Sequence, residues 1–344
     1  MASTPVRLGA LAVIAISLGI GGWQVWERSQ RRAISDTIIG PWDQLGGEPW
    51  LLPNLDDARV AQPDRPHSFR EVHAWRQGEK AEINRIREYR LRTNSQRLRG
   101  PEIGPKQAGT IRIIALGDSV THGWGVAENE SYPAVLQAKL RDRGHTVEVI
   151  NAGVPANPVS VMERWCSTQA PAFSPDLILW TRRVNQQGPD PYGAYARAVR
   201  DCGQKTGAKV VVVLPPISSF DVKGSQVWSQ ELAQLKRMVG RAAVAMIDLT
   251  PALRDAGRGR GEVLIQRGQN LAVFDQDAKR TWLEVPPSSH DLPADIYALF
   301  EAEPSVREPL FFDDGHPDAE GFTVFAEALL PVVEPLLQGS ATPE

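Results

Sequence analysis

The sequence has few of the residues that build disulfide-rich or metal-rich small domains. It contains 2 cysteines and 6 histidines among 344 residues, which excludes a cysteine-stapled scaffold. It also lacks an excess of one charge, because 38 basic residues face 41 acidic ones and leave a formal net charge of −3. Nucleic-acid-binding domains usually carry a basic excess, so we expect no nucleic-acid partner.

The overall composition is that of an ordinary globular protein. Hydrophobic residues make up 42% of the chain and charged residues 23%. These values exclude wholesale disorder, a collagen-like repeat and a membrane protein of many helices. The length allows one large domain with an appendage, or two domains.

One long uncharged segment stands near the amino terminus, over residues 8–26. As a helix it would be about 28 Å long, close to the roughly 30 Å thickness of the hydrocarbon layer. Trp23 and Trp26 lie near its end, where aromatic side chains favour the headgroup region. We predict an uncleaved membrane anchor within residues 1–32, with a cleaved signal peptide as the alternative.

The charges beside this segment give conflicting indications of its orientation. Arg28, Arg31 and Arg32 outnumber Arg7 on the other side, which by itself favours a cytoplasmic location for the rest of the chain. A single amino-terminal anchor, however, commonly exports the domain on its carboxyl-terminal side. We therefore expect that domain on the extracytoplasmic side.

Residues 105–340 are predicted to form the main domain, after a membrane-proximal region of unknown role at 33–104. Apolar, β-branched runs alternate with amphipathic helical patterns from residue 110 onwards. The predicted strands lie within 110–119, 145–153, 175–181, 208–216 and 243–250, and the predicted helices within 131–143, 158–170, 190–207, 229–242 and 318–337. Such alternation predicts an α/β fold, a three-layer α/β/α arrangement around a central parallel sheet.

Two stretches depart from this rhythm. Residues 88–99 alternate arginines with apolar residues, which predicts a strand with one charged face. Its arginines suit either a polyanion-binding patch or a solvated face balanced by nearby glutamates, and the second interpretation is favoured. Residues 254–310 show no clear period, and we interpret them as a long excursion that covers or shapes a site.

Two short motifs carry residues suited to nucleophilic catalysis. Gly117-Asp118-Ser119 ends the first strand of the regular domain, where ligands bind in open α/β sheets. Near the other end, Asp313 and His316 are spaced so that a carboxylate could orient an imidazole, which could then activate a serine hydroxyl. Taken alone, each motif is more typical of a turn or a helix cap than of a catalytic site. No third residue completes a metal-ligand set, so no metal is predicted.

Taken together, these motifs resemble those of the SGNH (GDSL-type) esterase and acyl-hydrolase family over roughly residues 89–338. The first block is similar to Gly117-Asp118-Ser119-Val120 and the second to Asn151-Ala152-Gly153. Asn185 falls where the third block places its asparagine, and Asp313-x-x-His316 is similar to the last block. The resemblance implies a flavodoxin-like strand order and an enzyme that cleaves an O-acyl ester.

The resemblance also implies a role for each of these residues. Ser119 would be the nucleophile, His316 the general base and Asp313 the residue that orients it. The oxyanion hole would consist of the N–H groups of Ser119 and Gly153 and the side-chain amide of Asn185. No cofactor is implied, and the substrate would be an acylated glycan, a lipid or a small ester. An acyltransferase with a sugar hydroxyl as acceptor would use the same triad.

The third block departs from the family pattern. Arg183 stands where the family has glycine, and Gln186 where it has aspartate. This leaves a catalytically silent binding module of the cell envelope as a competing hypothesis. Arg183 could bind an anionic substrate group or be engaged elsewhere in the fold.

The two cysteines, Cys166 and Cys202, fall late in the two helices that flank the predicted strand at 175–181. In a flavodoxin-like order these helices are neighbours, so a disulfide is one hypothesis and two independent buried thiols the other. A disulfide would agree with an exported domain.

Overall fold

The structure is a computed structural model that describes residues 50–61, 87–183, 190–216, 232–240, 242–257, 263–267, 270–275, 280–285, 310–311 and 316–337. The predicted anchor at 1–32, the predicted site residues Asn185 and Asp313, and Gln186 of the third block lie outside these ranges. Within them, no helix combines the length and the apolar character needed to cross a membrane. The chain divides into two compact units, Met1–Leu52 and Pro53–Glu344, and the elements below belong to the second.

The strands, in chain order, are β1 (Asp56–Ala61), β2 (Arg87–Arg92), β3 (Ile111–Gly117), β4 (Val147–Gly153), β5 (Leu177–Thr181), β6 (Lys209–Leu214), β7 (Ala245–Asp248), β8 (Val263–Arg267), β9 (Asn270–Asp275) and β10 (Arg280–Val285). The α-helices are α1 (Ser119–His122), α2 (Tyr132–Asp142), α3 (Val159–Thr168), α4 (Pro191–Thr206), α5 (232–239), α6 (Thr250–Gly257) and α7 (Ala319–Leu337).

The central sheet has five strands in the order β4-β3-β5-β6-β7, and each neighbouring pair is parallel. This confirms the predicted parallel sheet and its flanking helices. Strand β3 is paired with β4 on one side and with β5 on the other. The connection that follows β3 therefore runs to one side of it, and the connection that follows β4 crosses to the other side. The end of β3 is the switch point at which open α/β sheets bind ligands, and Ser119 follows β3 directly.

The apolar runs of the strands are continuous because both faces of the sheet are buried. In β3, Ile113 and Ala115 belong to the core under α2 and α7, while Ile114 and Leu116 are buried on the other face. Successive strand residues point to opposite faces, so a doubly covered strand needs apolar residues at every position.

Helices α2 and α7 pack together on one face of the sheet, and α3 packs against α4. Phe325 of α7 stacks on Tyr132 at the start of α2, with ring centroids 4.2 Å apart. Helix α4 begins at Asp190, whose carboxylate accepts the Gly193 N–H at 3.0 Å, and ends at Gly207 in the left-handed region with φ of 71°. These caps explain why the predicted helix at 190–207 has these ends.

Strand β2 pairs antiparallel with β1, and this confirms the strand predicted in residues 88–99 over the part that ends at Arg92. Strands β8, β9 and β10 form a second antiparallel sheet in the order β10-β9-β8. This sheet lies in the segment that the sequence analysis interpreted as an irregular excursion. The interpretation missed it because these strands pair locally and do not alternate with helices.

A disulfide bond joins Cys166 of α3 to Cys202 of α4. Their Cα atoms are 5.3 Å apart, within the usual range of about 4.4–6.8 Å. Of the two hypotheses for these cysteines, the structure has the disulfide. It cross-links two neighbouring helices that are 36 residues apart at these positions.

We predict that replacing Cys166 and Cys202 together by alanine lowers the free energy of unfolding by about 3–4 kcal/mol, because the unfolded chain regains the freedom of the closed loop. Urea unfolding of the variant and of the oxidised parent measures the difference. Ser167→Ala in the same helix is the control and should leave the midpoint nearly unchanged. Two titratable thiols in the unreduced, folded parent would contradict the prediction.

Candidate active site

The structure brings together two predicted site residues that are 197 positions apart in the chain. The Oγ of Ser119, the first residue of α1, lies 2.8 Å from the Nε2 of His316, just before α7. This is within the hydrogen-bond distance that a base needs to remove the hydroxyl proton. Asp313 and Asn185, the predicted orienting carboxylate and the third oxyanion donor, lie outside the described residues.

The Ser119 turn, residues 118–123, is a short helix held at both ends. At the start, the Asp118 carboxylate accepts the Val120 N–H at 3.1 Å. At the end, Gly123 adopts the left-handed conformation with φ of 81°, and its N–H donates to the Ser119 and Val120 carbonyls. The predicted strand-to-turn position of the serine is therefore confirmed, with Asp118 as the helix cap.

Two glycines allow the Ser119 turn to pack closely onto the ends of β3 and β4. A Cβ on Gly117 would come within 2.9 Å of the Thr121 Cβ, and one on Gly153 within 2.7 Å of the His122 Cα. Neither distance is tolerated between carbon atoms. Glycine at both positions is thus required for the turn to lie where it does.

Gly153, the second predicted oxyanion donor, lies beside this turn at the end of β4. Its N–H donates to the Asn151 Oδ1 at 3.0 Å, and the Asn151 Nδ2 is 3.4 Å from the His122 carbonyl oxygen. The Asn151 side chain therefore links the end of β4 to the Ser119 turn. In this structure the Gly153 N–H already has an acceptor, which the sequence analysis did not anticipate.

His122 is fully buried beneath the site. Its Nδ1 lies 3.3 Å from the Gly153 carbonyl oxygen, so Nδ1 carries the proton and donates it. Burial, and secondarily the charge of Arg99, lowers the pKa of His122 well below its usual value. The imidazole is therefore neutral, and its Nε2 has no hydrogen-bond partner within the described parts of the chain.

Arg99 supports the end of the Ser119 turn. Its buried guanidinium donates to the carbonyls of Gly123 and Val126, each at 2.7 Å, and to that of His122. Burial lowers its pKa to about 10, so the group stays charged near neutral pH. The sequence analysis interpreted the arginines of 88–99 as a solvated face. That holds for Arg90, which is exposed and paired with Asp56, but it is wrong for Arg99.

An aromatic row reaches from β2 to the candidate base. The ring of Trp124 lies 6.2 Å from that of Tyr89 and 6.4 Å from that of His316, measured between centroids. The Arg99 guanidinium carbon is 5.5 Å from the Tyr89 centroid. Trp124 therefore flanks His316.

Two arginines, one just before the third block and one at its first position, have different partners. Arg182 forms an ion pair with Asp118, in which its Nη1 donates to the Asp118 Oδ2. Arg183 donates from its Nη2 to the Pro215 carbonyl. The sequence analysis considered Arg183 in detail but missed the contact of Arg182, because only the register of the sheet places Arg182 beside Asp118.

Metal ligation finds no support in the geometry of the described residues. Those ranges contain no group of three or more His, Cys, Asp or Glu side chains that could hold a metal ion. The expectation of a cofactor-free site stays a prediction.

The comparisons with known proteins bear on the class of this site. Residues 115–265 match the model of the GDSL-like lipase/acylhydrolase family. A search of curated proteins gave no match. The matched region contains Ser119 and Gly153 but ends before His316.

The search of solved structures gave matches that include the following three. A lipolytic G-D-S-L protein of Veillonella parvula is 19% identical, with 65% of this chain and 98% of that chain covered and a TM-score of 0.43. A family 3 carbohydrate esterase of Clostridium thermocellum is 12% identical, with 68% and 100% covered and a TM-score of 0.43. The lipase/acylhydrolase of Enterococcus faecalis is 14% identical, with 65% and 96% covered and a TM-score of 0.43.

The family match confirms the resemblance predicted from the sequence. Residues 115–265 carry a GDSL-like lipase/acylhydrolase domain, a domain class of enzymes that hydrolyse ester bonds.

We predict that the burial of His122 makes the protein less stable in acid. The unfolded chain takes up a proton at this residue as the pH falls through about 6.5, whereas the folded state resists it. The stability present above that pH is therefore lost below it, by up to about 1.4 kcal/mol per pH unit.

Urea unfolding at pH 7.5 and 5.0 measures this loss in the parent and in His122→Gln. The stability advantage of the parent over the variant should shrink by about 2 kcal/mol between the two pH values. An advantage that is equal at both would show that His122 is not buried in its neutral form.

Proposed function

We propose that this protein is a serine ester hydrolase in which Ser119 is the nucleophile and His316 the general base. The observation that carries the proposal is the 2.8 Å distance between the Ser119 Oγ and the His316 Nε2, at the switch point of a sheet within a GDSL-like domain. A serine hydroxyl is a weak nucleophile until a base accepts its proton, and a neutral imidazole suits that task near pH 7.

The reaction proceeds in two halves. In the first, His316 accepts the Ser119 proton as Oγ attacks the ester carbonyl carbon, and it then donates that proton to the departing alcohol oxygen. In the second, His316 deprotonates a water molecule that attacks the acyl-enzyme, and the acid is released as Ser119 regains its proton. Asp313 orients the imidazole through its other nitrogen and stabilises the imidazolium.

The tetrahedral oxyanion is held by the N–H groups of Ser119 and Gly153 and by the Asn185 amide. Support for Gly153 comes from the register of the sheet, in which it is the direct neighbour of Gly117 and lies against the Ser119 turn. Its N–H exchanges the neutral Asn151 Oδ1 for the charged oxyanion, a stronger acceptor. The substrate is an O-acyl ester of a glycan, a lipid or a small alcohol.

We predict that a fluorophosphonate probe labels the full chain at a single serine. Ser119→Ala should abolish labelling, and His316→Gln should slow it by about 10²-fold or more because the base is lost. Ser167→Ala, whose hydroxyl bonds to the Glu163 carbonyl on α3, is the control and should label like the parent. The readout is the labelling rate together with the mass of the modified peptide.

Two outcomes would overturn this proposal. Labelling that persists in Ser119→Ala would place the reactive serine elsewhere. Folded parent protein that is never labelled, and that releases no product from 4-nitrophenyl acetate, would favour the catalytically silent binding module.

We further propose that residues 1–32 anchor the chain in a membrane, with the GDSL-like domain on the extracytoplasmic side. The uncharged run at 8–26 supports the anchor, and the Cys166–Cys202 disulfide supports an oxidising compartment.

Expressed full length in bacterial cells, the protein should sediment with membranes. Protease added outside spheroplasts should degrade the domain, because it is expected to face outwards. Protection from that protease, together with thiols that react without reduction, would place the domain in the cytoplasm.

A further inference from the structure

We propose that Arg182 is a positioning residue for the nucleophile Ser119. Arg182 neutralises the Asp118 carboxylate and holds it in the position from which it caps the Ser119 turn. This inference depends on the proposed function of Ser119 and adds to it a residue whose ion pair balances the charge beside the reacting atoms.

The sheet itself places the two residues together. Gly117 at the end of β3 is the register partner of Thr181 at the end of β5, so Asp118 and Arg182 are the next residues of two adjacent parallel strands. Arg182 extends the ladder beyond β5, since its N–H donates to the Val213 carbonyl at 3.2 Å. The ion pair therefore begins from a backbone position that the sheet determines.

A buried tyrosine fixes the backbone of Arg182. The Tyr195 hydroxyl of α4 donates to the Arg182 carbonyl at 2.7 Å, and the Tyr195 ring meets that of Trp180 edge-on at 6.1 Å. Tyr195 is fully buried. The backbone from which the Arg182 guanidinium extends towards Asp118 is thus held in place.

The carboxylate of Asp118 has two tasks, one for each oxygen. Oδ1 accepts the Val120 N–H and so caps the Ser119 turn, while Oδ2 accepts from Arg182. The side chains of Asp118 and Arg182 are only 15% and 16% exposed, so water screens the pair poorly. Loss of Arg182 would remove the partner of the Asp118 Oδ2 and leave a largely buried carboxylate without its ion pair.

The charge matters because the reaction builds negative charge next to Ser119. An unpaired carboxylate at residue 118 would oppose the oxyanion and favour the protonated form of His316, which cannot act as a base. Paired with Arg182, the same carboxylate keeps its cap without that penalty. Four other ionisable groups are described near Ser119 or Asp118. His122 is neutral, and the Arg99 guanidinium is held by backbone carbonyls. Burial raises the pKa of Tyr132 and of Tyr195, so both phenols stay protonated.

The test compares Arg182→Gln, Asp118→Asn and the double variant in the full chain, with hydrolysis of 4-nitrophenyl acetate followed across pH. Arg182→Gln should lower kcat/KM about tenfold at neutral pH, because the carboxylate next in sequence to Ser119 is then unpaired. The acid limb, which is the fall of kcat/KM at low pH as the base is protonated, should move about one pH unit upwards for the same reason. Asp118→Asn keeps a side-chain oxygen for the Val120 N–H and should move the limb downwards. The double variant should return the limb towards the parent position and regain rate relative to Arg182→Gln.

Arg197→Gln is the matched control, because Arg197 also pairs with an aspartate, Asp190, but more than half of each of these side chains is exposed on α4. It should leave both kcat/KM and the acid limb as in the parent. Arg182→Lys keeps the charge and should hold the limb near the parent position. Should Arg182→Gln fail to fold, the downward shift of the limb in Asp118→Asn and its return in the double variant still test the proposal.

An acid limb that is unmoved in both Arg182→Gln and Asp118→Asn, or a double variant no faster than Arg182→Gln, would overturn the proposal. Parent protein that neither hydrolyses the ester nor takes up the fluorophosphonate would instead overturn the proposed function. The two failures are therefore distinguishable.

Discussion

The backbone of Thr121 and His122 lies so close to the end of β4 that Gly153 can carry no side chain, and Gly117 is constrained in the same way at the end of β3. This close approach sets the position of the Ser119 turn. The hydroxyl at the start of the turn reaches His316 because the turn cannot move away from the strands without opening a void. The candidate site is thus a consequence of backbone packing before any side-chain chemistry is considered.

A short helix in such a position leaves polar backbone groups that need partners. Asp118 satisfies one N–H at the start, while Arg99 satisfies the carbonyls at and beyond the end. Arg182 in turn neutralises Asp118. The two arginines come from different parts of the chain, one from upstream of β3 and one from the end of β5, and both side chains are largely buried.

The segment before β3 has a larger part in the site than the family match alone indicates. The match begins at residue 115, yet Arg99 and Tyr89 lie upstream of it and contact the Ser119 turn and Trp124. Arg92 also pairs with Glu128, just beyond the turn. Residues 87–99 therefore belong to the same packed unit as the GDSL-like domain and support the wall beside His316.

The resemblance to the SGNH family implied the pairing of Ser119 with His316. The sequence by itself determined the parallel sheet and the position of Ser119 after the first of its strands. These follow from local periodicity and from motifs of a few residues, which need no knowledge of distant contacts. The sequence left open whether the cysteines form a disulfide. The Gly153 N–H was predicted to belong to the oxyanion hole, and no motif reveals that it donates to the Asn151 side chain in this structure. The antiparallel sheet of β8, β9 and β10 was not predicted either.

Only the tertiary structure decided the roles of Arg99, His122 and Arg182. A charged residue in a mixed segment is usually solvated, and nothing local distinguishes Arg99, which is buried, from Arg90, which is exposed. Arg182 meets Asp118 through the register of two strands that are separated by 64 positions in the chain. Burial and register are properties of the assembled fold, because they depend on which distant segments come to lie side by side.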